Sequence, residues 1–256
     1  MDPEFLYRYC HLDGDRRDWT RKLLIESVIY FPPPSKFNDP FDCKVHFDPE
    51  LSLKELKKIY QNILLRKYTD LNRKERREKS REAIKNVIPE HLIEYITNNL
   101  QNEVDKCGVL SLSATDRNIL LWSHYAAGHK GLCLKFIATS ATPFFGRAQR
   151  VYYFSQYPQI NILDPVEHQI EAFFFTKALD WSYEQEWRII DHEGGHGYKR
   201  FPEECLAGVI LGAQMDKTDR EIVINWINQR KPPCTIYEAK INKTSYALDI
   251  EELMKS

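Results

Sequence analysis

The sequence has no excess of charge of either sign, no long apolar run and no cysteine pair at a metal-binding spacing. Its 256 residues include 36 Lys and Arg and 37 Asp and Glu, which gives a net charge of -1. Because no global field attracts nucleic acid or a membrane surface, any anion site has to be local. The six cysteines are dispersed, which predicts buried reduced thiols in a reducing compartment, the cytoplasm.

Membrane and targeting signals are also missing. No segment approaches the roughly 18 consecutive apolar residues of a transmembrane helix, and no signal-peptide core is present. We therefore expect no membrane partner. Residues 1–5 resemble a translated restriction-site linker and are interpreted as a cloning scar. Residues 6–256 are predicted to form a single domain.

Several common active-site strings are absent. No G-x-G-x-x-G, P-loop or G-x-S-x-G string occurs, which disfavours the commonest nucleotide-binding and hydrolase scaffolds. The segment His192-Glu193-Gly194-Gly195-His196 matches the zinc-protease string H-E-x-x-H. That string binds zinc only on a helix, and two glycines would each cost about 1 kcal/mol there. We predict a hairpin turn at this segment and no metal site.

Hydrophobic periodicity divides the chain into three parts. Short strand-like segments dominate both ends, without a regular strand–helix–strand alternation, which favours an α+β fold. Between them, residues 50–106 show helical spacing and are predicted as a helical insert. The insert contains a charged segment, residues 73–85, which is interpreted either as a solvated helical face or as a basic patch that contacts RNA, DNA or a protein.

Polar side chains interrupt four otherwise apolar elements and form the candidate site. They are Arg8 in an aromatic strand, Ser111 and Ser113 on one face of a strand, His124 and Tyr125 after Trp122 in a short helix, and Glu184 and Glu186 at the start of a strand. Each set also has a structural interpretation, such as an ion pair between Arg8 and Glu186. Together they supply the guanidinium, hydroxyl and carboxylate groups that a nucleotide site needs.

These residues lie in strings that resemble the bacterial domain-of-unknown-function-2971 family. The strings are Leu6-Tyr7-Arg8-Tyr9, Pro34-Ser35-Lys36-Phe37-Asn38-Asp39-Pro40-Phe41-Asp42, Leu110-Ser111-Leu112-Ser113, Leu121-Trp122-Ser123-His124-Tyr125-Ala126 and Trp181-Ser182-Tyr183-Glu184-Gln185-Glu186-Trp187-Arg188. They span nearly the whole chain apart from the charged segment. Leu121 departs from the family pattern, in which a methionine is expected. The family resemblance by itself implies no activity.

The order of the polar residues also resembles the arginine–serine–glutamate class of ADP-ribosyltransferases. An arginine on the first strand is followed by a Ser-x-Ser strand and then by Glu-x-Glu at the start of a later strand. The resemblance implies two small, mostly antiparallel sheets around a cleft that binds NAD as substrate. It also implies a bacterial toxin or an antiphage-defence effector that modifies a nucleic acid or a protein.

The same resemblance implies a role for each candidate residue. Arg8 would hold an NAD phosphate or ribose. Glu186 would stabilise the oxocarbenium-like charge, and Glu184 would orient or deprotonate the acceptor. The expected NAD-binding residues are Arg8, Asn38, Asp39, Ser111, Ser113, Trp122, His124 and Tyr125. Two alternatives stay open: a nuclease that uses Asp39, His124 and Glu186, and a non-catalytic module that binds a nucleotide or nucleic acid.

Overall fold

The computed structural model of the chain describes residues 2–46, 52–85, 89–158, 160–161 and 164–254. Its strands are β1 (Phe5–Cys10), β2 (Val28–Phe31), β3 (Gly108–Ser113), β4 (Leu132–Ile137), β5 (Gln149–Arg150), β6 (Tyr152–Phe154), β7 (Thr176–Ala178), β8 (Glu186–Asp191), β9 (Gly197–Arg200), β10 (Leu206–Leu211), β11 (Thr235–Ile241) and β12 (Leu248–Met254). Its α-helices are α1 (Arg16–Glu26), α2 (Leu53–Lys67), α3 (Arg73–Lys85), α4 (Pro89–Lys106), α5 (Ile119–Tyr125), α6 (Pro143–Gly146), α7 (Val166–Phe174) and α8 (Lys217–Asn228).

One large mixed sheet organises the described residues. Its eight strands follow the order β12-β11-β10-β4-β1-β3-β8-β5, and only the β10–β11 pair is parallel. The helix α8 lies between β10 and β11 along the chain, as a parallel connection requires. Two further sheets have two strands each, β2–β9 and β6–β7. The predicted α+β class is confirmed.

The prediction of two small sheets around a cleft is wrong. The strands β3 and β4 both pair directly with β1, and β4 also pairs with β10, so the first and last parts of the chain form one continuous sheet. The strand β4 shows why this happens. Both of its edges are paired, one with β1 and the other with β10. Its buried residues lie on both faces, as expected for such an apolar sequence.

Helices cover the two faces of this sheet. On one face, Leu6 and Leu110 belong to a buried cluster that also contains Leu24 of α1 and Val223 of α8. On the opposite face, Cys133 packs in a cluster with residues of α5, and Val109 in a cluster with residues of α7 and α4. Apolar burial on both faces stabilises the sheet and leaves little room for polar side chains inside it.

The region predicted as a helical insert contains α2, α3 and α4, which lie between β2 and β3 along the chain. Its predicted start at residue 50 lies outside the described residues. Buried Ile59 of α2 and Ile96 of α4 share a small apolar cluster, whereas α3 carries the charged segment. Among the helices of the described ranges, none is long and apolar enough to cross a membrane.

The segment His192–His196 connects β8 to β9, and Gly195 adopts a left-handed backbone conformation with φ of 64°. The segment is not helical, as predicted, but it is not a hairpin turn. The strand β9 leaves the large sheet and pairs with β2, so β8 and β9 belong to different sheets. The predicted hairpin is therefore corrected to a connection between two sheets.

Candidate functional site

The pairing of β3 with β8 brings four of the polar residues onto one face of the sheet. Ser111 lies opposite Arg188, and Ser113 lies opposite Glu186. Side chains of paired residues point to the same face, and residues two apart along a strand also share a face. Polar groups on a covered face need internal partners, because burying a charge without one is costly. The structure supplies those partners from two other parts of the chain.

A buried charge cluster is formed by Asp42, Lys177, Glu184, Glu186 and Arg188. Each of these side chains is less than 10% exposed. Arg188 donates from Nε to one Glu186 oxygen at 2.7 Å and from Nη2 to the other at 2.9 Å. The same guanidinium forms two bonds to the Asp42 carboxylate, at 2.9 and 2.5 Å. Arg188 thus clamps β8 to the loop after β2 with the planar geometry that suits an arginine.

Lys177 of β7 joins the remaining carboxylate to this cluster. Its Nζ lies 2.6 Å from Glu184, 3.1 Å from Glu186 and 3.5 Å from Asp42. Three carboxylates against two cations leave the buried charge cluster with a formal charge of 3 × (-1) + 2 × (+1) = -1. A net negative charge inside the protein favours a cationic ligand or a cationic transition state at its edge.

The two glutamates differ in their proton affinity. Burial alone would raise the pKa of Glu186, but Arg188 and Lys177 outweigh burial and lower that pKa to about 2. For Glu184, burial raises the pKa, and Lys177 offsets burial only in part. Glu186 is therefore held ionised by its partners, whereas Glu184 is the carboxylate poised to exchange a proton.

Tyr125 connects Glu184 to the solvent-exposed edge of the site. Its hydroxyl donates to Glu184 Oε1 at 2.8 Å and accepts from Asn38 Nδ2 at 3.5 Å. Asn38 and His124 are exposed, and the His124 ring lies next to the rings of Tyr125 and Tyr183. The Tyr125 hydroxyl can therefore relay a proton between Glu184 and a polar ligand group at this edge.

Local backbone structure positions these groups. Asn118 caps α5 by accepting from the backbone N–H groups of Leu120 and Leu121, and its Nδ2 donates to the Tyr183 carbonyl at 2.9 Å. This bond ties α5, which carries Tyr125, to the 3-10 helix Leu179–Glu184. Ser113 Oγ donates to the Glu184 carbonyl at 2.7 Å. Ser113 therefore fixes the backbone from which the Glu184 side chain projects.

Two non-glycine residues beside the buried charge cluster adopt left-handed backbone conformations. Gln185 has φ of 46° between Glu184 and Glu186, and Cys43 has φ of 53° directly after Asp42. Such conformations cost of order 1 kcal/mol each and concentrate at functional sites. At Gln185 the conformation turns the chain from the 3-10 helix into β8, which keeps both glutamates in contact with Lys177.

Arg8 does not join this site. Tyr7 lies opposite Ser113, which in turn lies opposite Glu186, so Tyr7 shares their face and Arg8 points to the other one. The guanidinium of Arg8 instead donates to the Ser111 carbonyl at 3.1 Å. The prediction that Arg8 and Glu186 belong to one site is therefore wrong: strand alternation separates the two side chains, and Arg188 is the arginine that pairs with Glu186.

The other candidate residues differ in their burial and in their distance from the exposed edge of the site. Trp122 is completely buried, with Nε1 donating to the Asp116 carbonyl at 2.7 Å, so its predicted contact with NAD is corrected to a core position. Asp39 is buried and accepts from the Phe41 N–H at 2.9 Å, which closes the turn before Asp42. Ser111 and Ser113 support the glutamates, and only Asn38, His124 and Tyr125 reach the exposed edge.

Sequence reasoning did not select three of the residues that hold the site together, Asp42, Lys177 and Arg188. Asp42 and Arg188 lie in two of the strings that carry the family resemblance, but nothing in their local sequence predicts that they meet across 146 positions. Lys177 lies two positions after a run of three consecutive phenylalanines, with Thr176 between them, a context that predicts core packing. A charged residue this close to such a run was the available signal for a buried ion pair.

The low pKa of Glu186 predicts a specific acid sensitivity. Its pKa is about 2 in the folded protein against an ordinary 4.5, so its contribution to stability is present above pH 4.5 and is lost as the pH falls toward 2. Between those values we expect wild type to lose about 3 kcal/mol of unfolding free energy that the Glu186→Gln variant does not lose. Urea denaturation from pH 2.5 to 6 measures the difference.

Glu103→Gln is the control for this measurement. Glu103 forms an exposed ion pair with Lys106, which should contribute little to stability at any pH. Its variant is expected to follow the wild-type pH profile. If Glu186→Gln also follows that profile, the ion pairs of Glu186 do not stabilise the folded state.

Similarity to known proteins covers part of this site. A family model described as Protein of unknown function (DUF2971) matches residues 121–189 and confirms the family resemblance inferred from the sequence strings. The matched segment contains Tyr125 and all of the buried charge cluster except Asp42. No curated protein and no solved structure matches the chain. Within the described ranges, no group of three or more His, Cys, Asp or Glu side chains could hold a metal ion.

Proposed function

We propose that the protein is an ADP-ribosyltransferase-like enzyme that breaks the N-glycosidic bond of a nucleotide, with NAD as the first substrate to test. One observation carries the proposal. Glu184, a carboxylate whose pKa is raised by burial, links the negatively charged cluster to Tyr125 at the exposed edge. A carboxylate of raised pKa within reach of solvent is the group that general acid–base catalysis uses.

The reaction divides between these groups as follows. The bond between ribose C1′ and the nicotinamide nitrogen breaks, and nicotinamide leaves with the bonding electron pair. An acceptor oxygen or nitrogen forms the new bond to C1′, and its proton passes to Glu184. Positive charge develops on the ribose in the transition state, and the net charge of -1 of the buried charge cluster stabilises it.

Each remaining residue has a supporting role in this proposal. Glu186 and Arg188 saturate one another and hold Lys177 in place, so they position Glu184 rather than contact the substrate. Asn38, His124 and Tyr125 would contact the nicotinamide riboside at the exposed edge. Arg8 has no role in binding phosphate, because it lies on the other face of the sheet.

Nicotinamide release by the purified wild-type chain tests the proposal. We expect release from NAD with water, DNA, RNA or a protein mixture as the acceptor, together with an NAD-dependent rise in melting temperature. The acceptor that becomes labelled with ADP-ribose identifies the target class. Those acceptors include the macromolecules that a toxin or antiphage effector modifies. The proposal is refuted if the chain releases no nicotinamide and its melting temperature does not rise at millimolar NAD.

A non-catalytic nucleotide-binding module is the second candidate. This candidate is favoured because Arg188 and Glu186 are fully paired within the protein. Buried ions whose hydrogen bonds are all made internally can have a purely structural role. Stabilisation by NAD without any turnover would support this candidate. Turnover that requires a divalent cation would instead support the nuclease alternative, although Asp39, His124 and Glu186 differ widely in their exposure.

A further inference from the structure

An aromatic pocket lies next to the buried charge cluster. It has a volume of about 190 Å3, with Cys43, Ala172 and Phe173 among its lining residues. Three aromatic side chains at its rim, Phe41, Phe154 and Tyr157, are 63%, 50% and 42% exposed. Large aromatic side chains that remain this exposed around one cavity offer flat faces to a ligand.

We propose that the aromatic pocket binds the purine base of a nucleotide and that Lys44 pairs with its phosphate. The choice of a nucleotide rests on the proposed function, whereas the shape and chemistry of the pocket stand on their own contacts. This assignment supplies the phosphate contact that Arg8 does not provide.

The size and walls of the pocket select a planar ring system. An apolar cavity of about 150 Å3 accommodates one benzene ring, so about 190 Å3 admits fused rings but not a whole dinucleotide. Nucleobases stack on aromatic side chains, and that stacking dominates the binding of unpaired bases. Phe154 and Tyr157 are the side chains at the rim that can cover the faces of such a ring.

His46 favours a ligand ring that can form hydrogen bonds, rather than a purely apolar ring. Its imidazole packs against the Tyr157 ring, with ring centroids 3.6 Å apart and the ring planes tilted by 34°. Its Nε2 atom is buried and has no hydrogen-bond partner among the described residues. Burial, followed by the charge of Lys44, lowers the pKa of His46. A buried imidazole nitrogen without a partner is matched by the amino group or a ring nitrogen of a base.

Charge and position connect the pocket to the reaction centre. Lys44 lines the pocket, and none of the described carboxylates forms an ion pair with it, so its ammonium is available to a phosphate. Lys177 also lines the pocket, and its Nζ lies 2.6 Å from Glu184. A ligand whose base occupies the pocket therefore lies beside the proposed reaction centre.

Calorimetric titration of adenosine and AMP into wild type and variants tests this inference. We expect wild type to bind both ligands, and AMP more tightly. Phe154→Ala should weaken both by about tenfold, the typical effect of losing one stacked aromatic. His46→Phe keeps the ring but removes the nitrogen and should weaken both by about fivefold. Lys44→Gln should weaken AMP but leave adenosine unchanged.

Tyr246→Ala is the matched control, because Tyr246 is 99% exposed and does not line the pocket. The inference is overturned if adenosine does not bind wild type, if Tyr246→Ala weakens binding as much as Phe154→Ala, or if cytidine binds as tightly as adenosine. These outcomes are separable from those of the proposed function. Nicotinamide release without adenosine binding would overturn the subsite alone, and adenosine binding without release would overturn the reaction alone.

Discussion

Replacing Arg188 by Met is expected to lower the free energy of unfolding by about 3–5 kcal/mol, a typical result of removing one partner from a buried ion pair. The side chain is completely buried and bonds both oxygens of Asp42 and both of Glu186. Methionine fills similar space but leaves the three carboxylates of the buried charge cluster with Lys177 as its only cation. Each carboxylate then has to lose hydrogen bonds or take up a proton.

Urea denaturation of Arg188→Met and of a surface control measures this effect. Arg220→Met removes the partner of Glu238 in a pair that is about one quarter exposed on each side, and we expect a loss of no more than about 1 kcal/mol. A second variant, Arg188→Lys, keeps the charge but cannot bridge two carboxylates. Its loss in the free energy of unfolding should lie between those of Arg188→Met and Arg220→Met. Equal losses for Arg188→Met and Arg220→Met would show that the buried charge cluster is not a major source of stability.

Most of the local structure followed from the sequence because its causes are local. The apolar spacing of residues 217–228 and the Asp216 cap produce α8, and the cap is seen as a bond from the Asp219 N–H to Asp216. The aromatic strand that the sequence predicts around Arg8 is found at Phe5–Cys10. The arrangement of the strands could not be predicted in the same way, since pairing of β1 with β4 joins residues more than 120 positions apart.

The candidate site, like the fold, could be predicted only in part from the sequence. Polarity within apolar segments predicts Glu184, Glu186 and Tyr125 as site residues, and hydrogen bonds and ion pairs link them. The transferase resemblance adds Asn38, which donates to the Tyr125 hydroxyl. Arg8 was predicted by the same criterion but lies on the other face. The face of a strand that carries a given residue depends on the register with its neighbours, and a shift of one position reverses it. Polarity identifies candidate residues, and only register determines which of them meet.

Replacing Glu184 by Gln is expected to reduce nicotinamide release from NAD by a hundredfold or more, the lower end of what a general base contributes. Glutamine keeps the shape of the side chain and can still accept from the Tyr125 hydroxyl, but it cannot take up a proton. It also removes one negative charge from the cluster, which weakens the stabilisation of the ribosyl cation. Because both effects act mainly in the transition state, the affinity for NAD should change little.

Turnover under saturating NAD, NAD affinity by calorimetry and the melting temperature separate this role from a structural one. Tyr125→Phe is the companion variant: it removes the hydroxyl that donates to Glu184 at 2.8 Å and should reduce turnover less, because the carboxylate itself is retained. Glu186→Gln should chiefly lower the melting temperature, since Glu186 is bonded to Arg188 through both oxygens. If Glu184→Gln instead releases nicotinamide at the wild-type rate, Glu184 is not the base. If it melts far below wild type and binds NAD poorly, Glu184 is a structural partner of Lys177, and the site has to be reassigned to nucleotide binding alone.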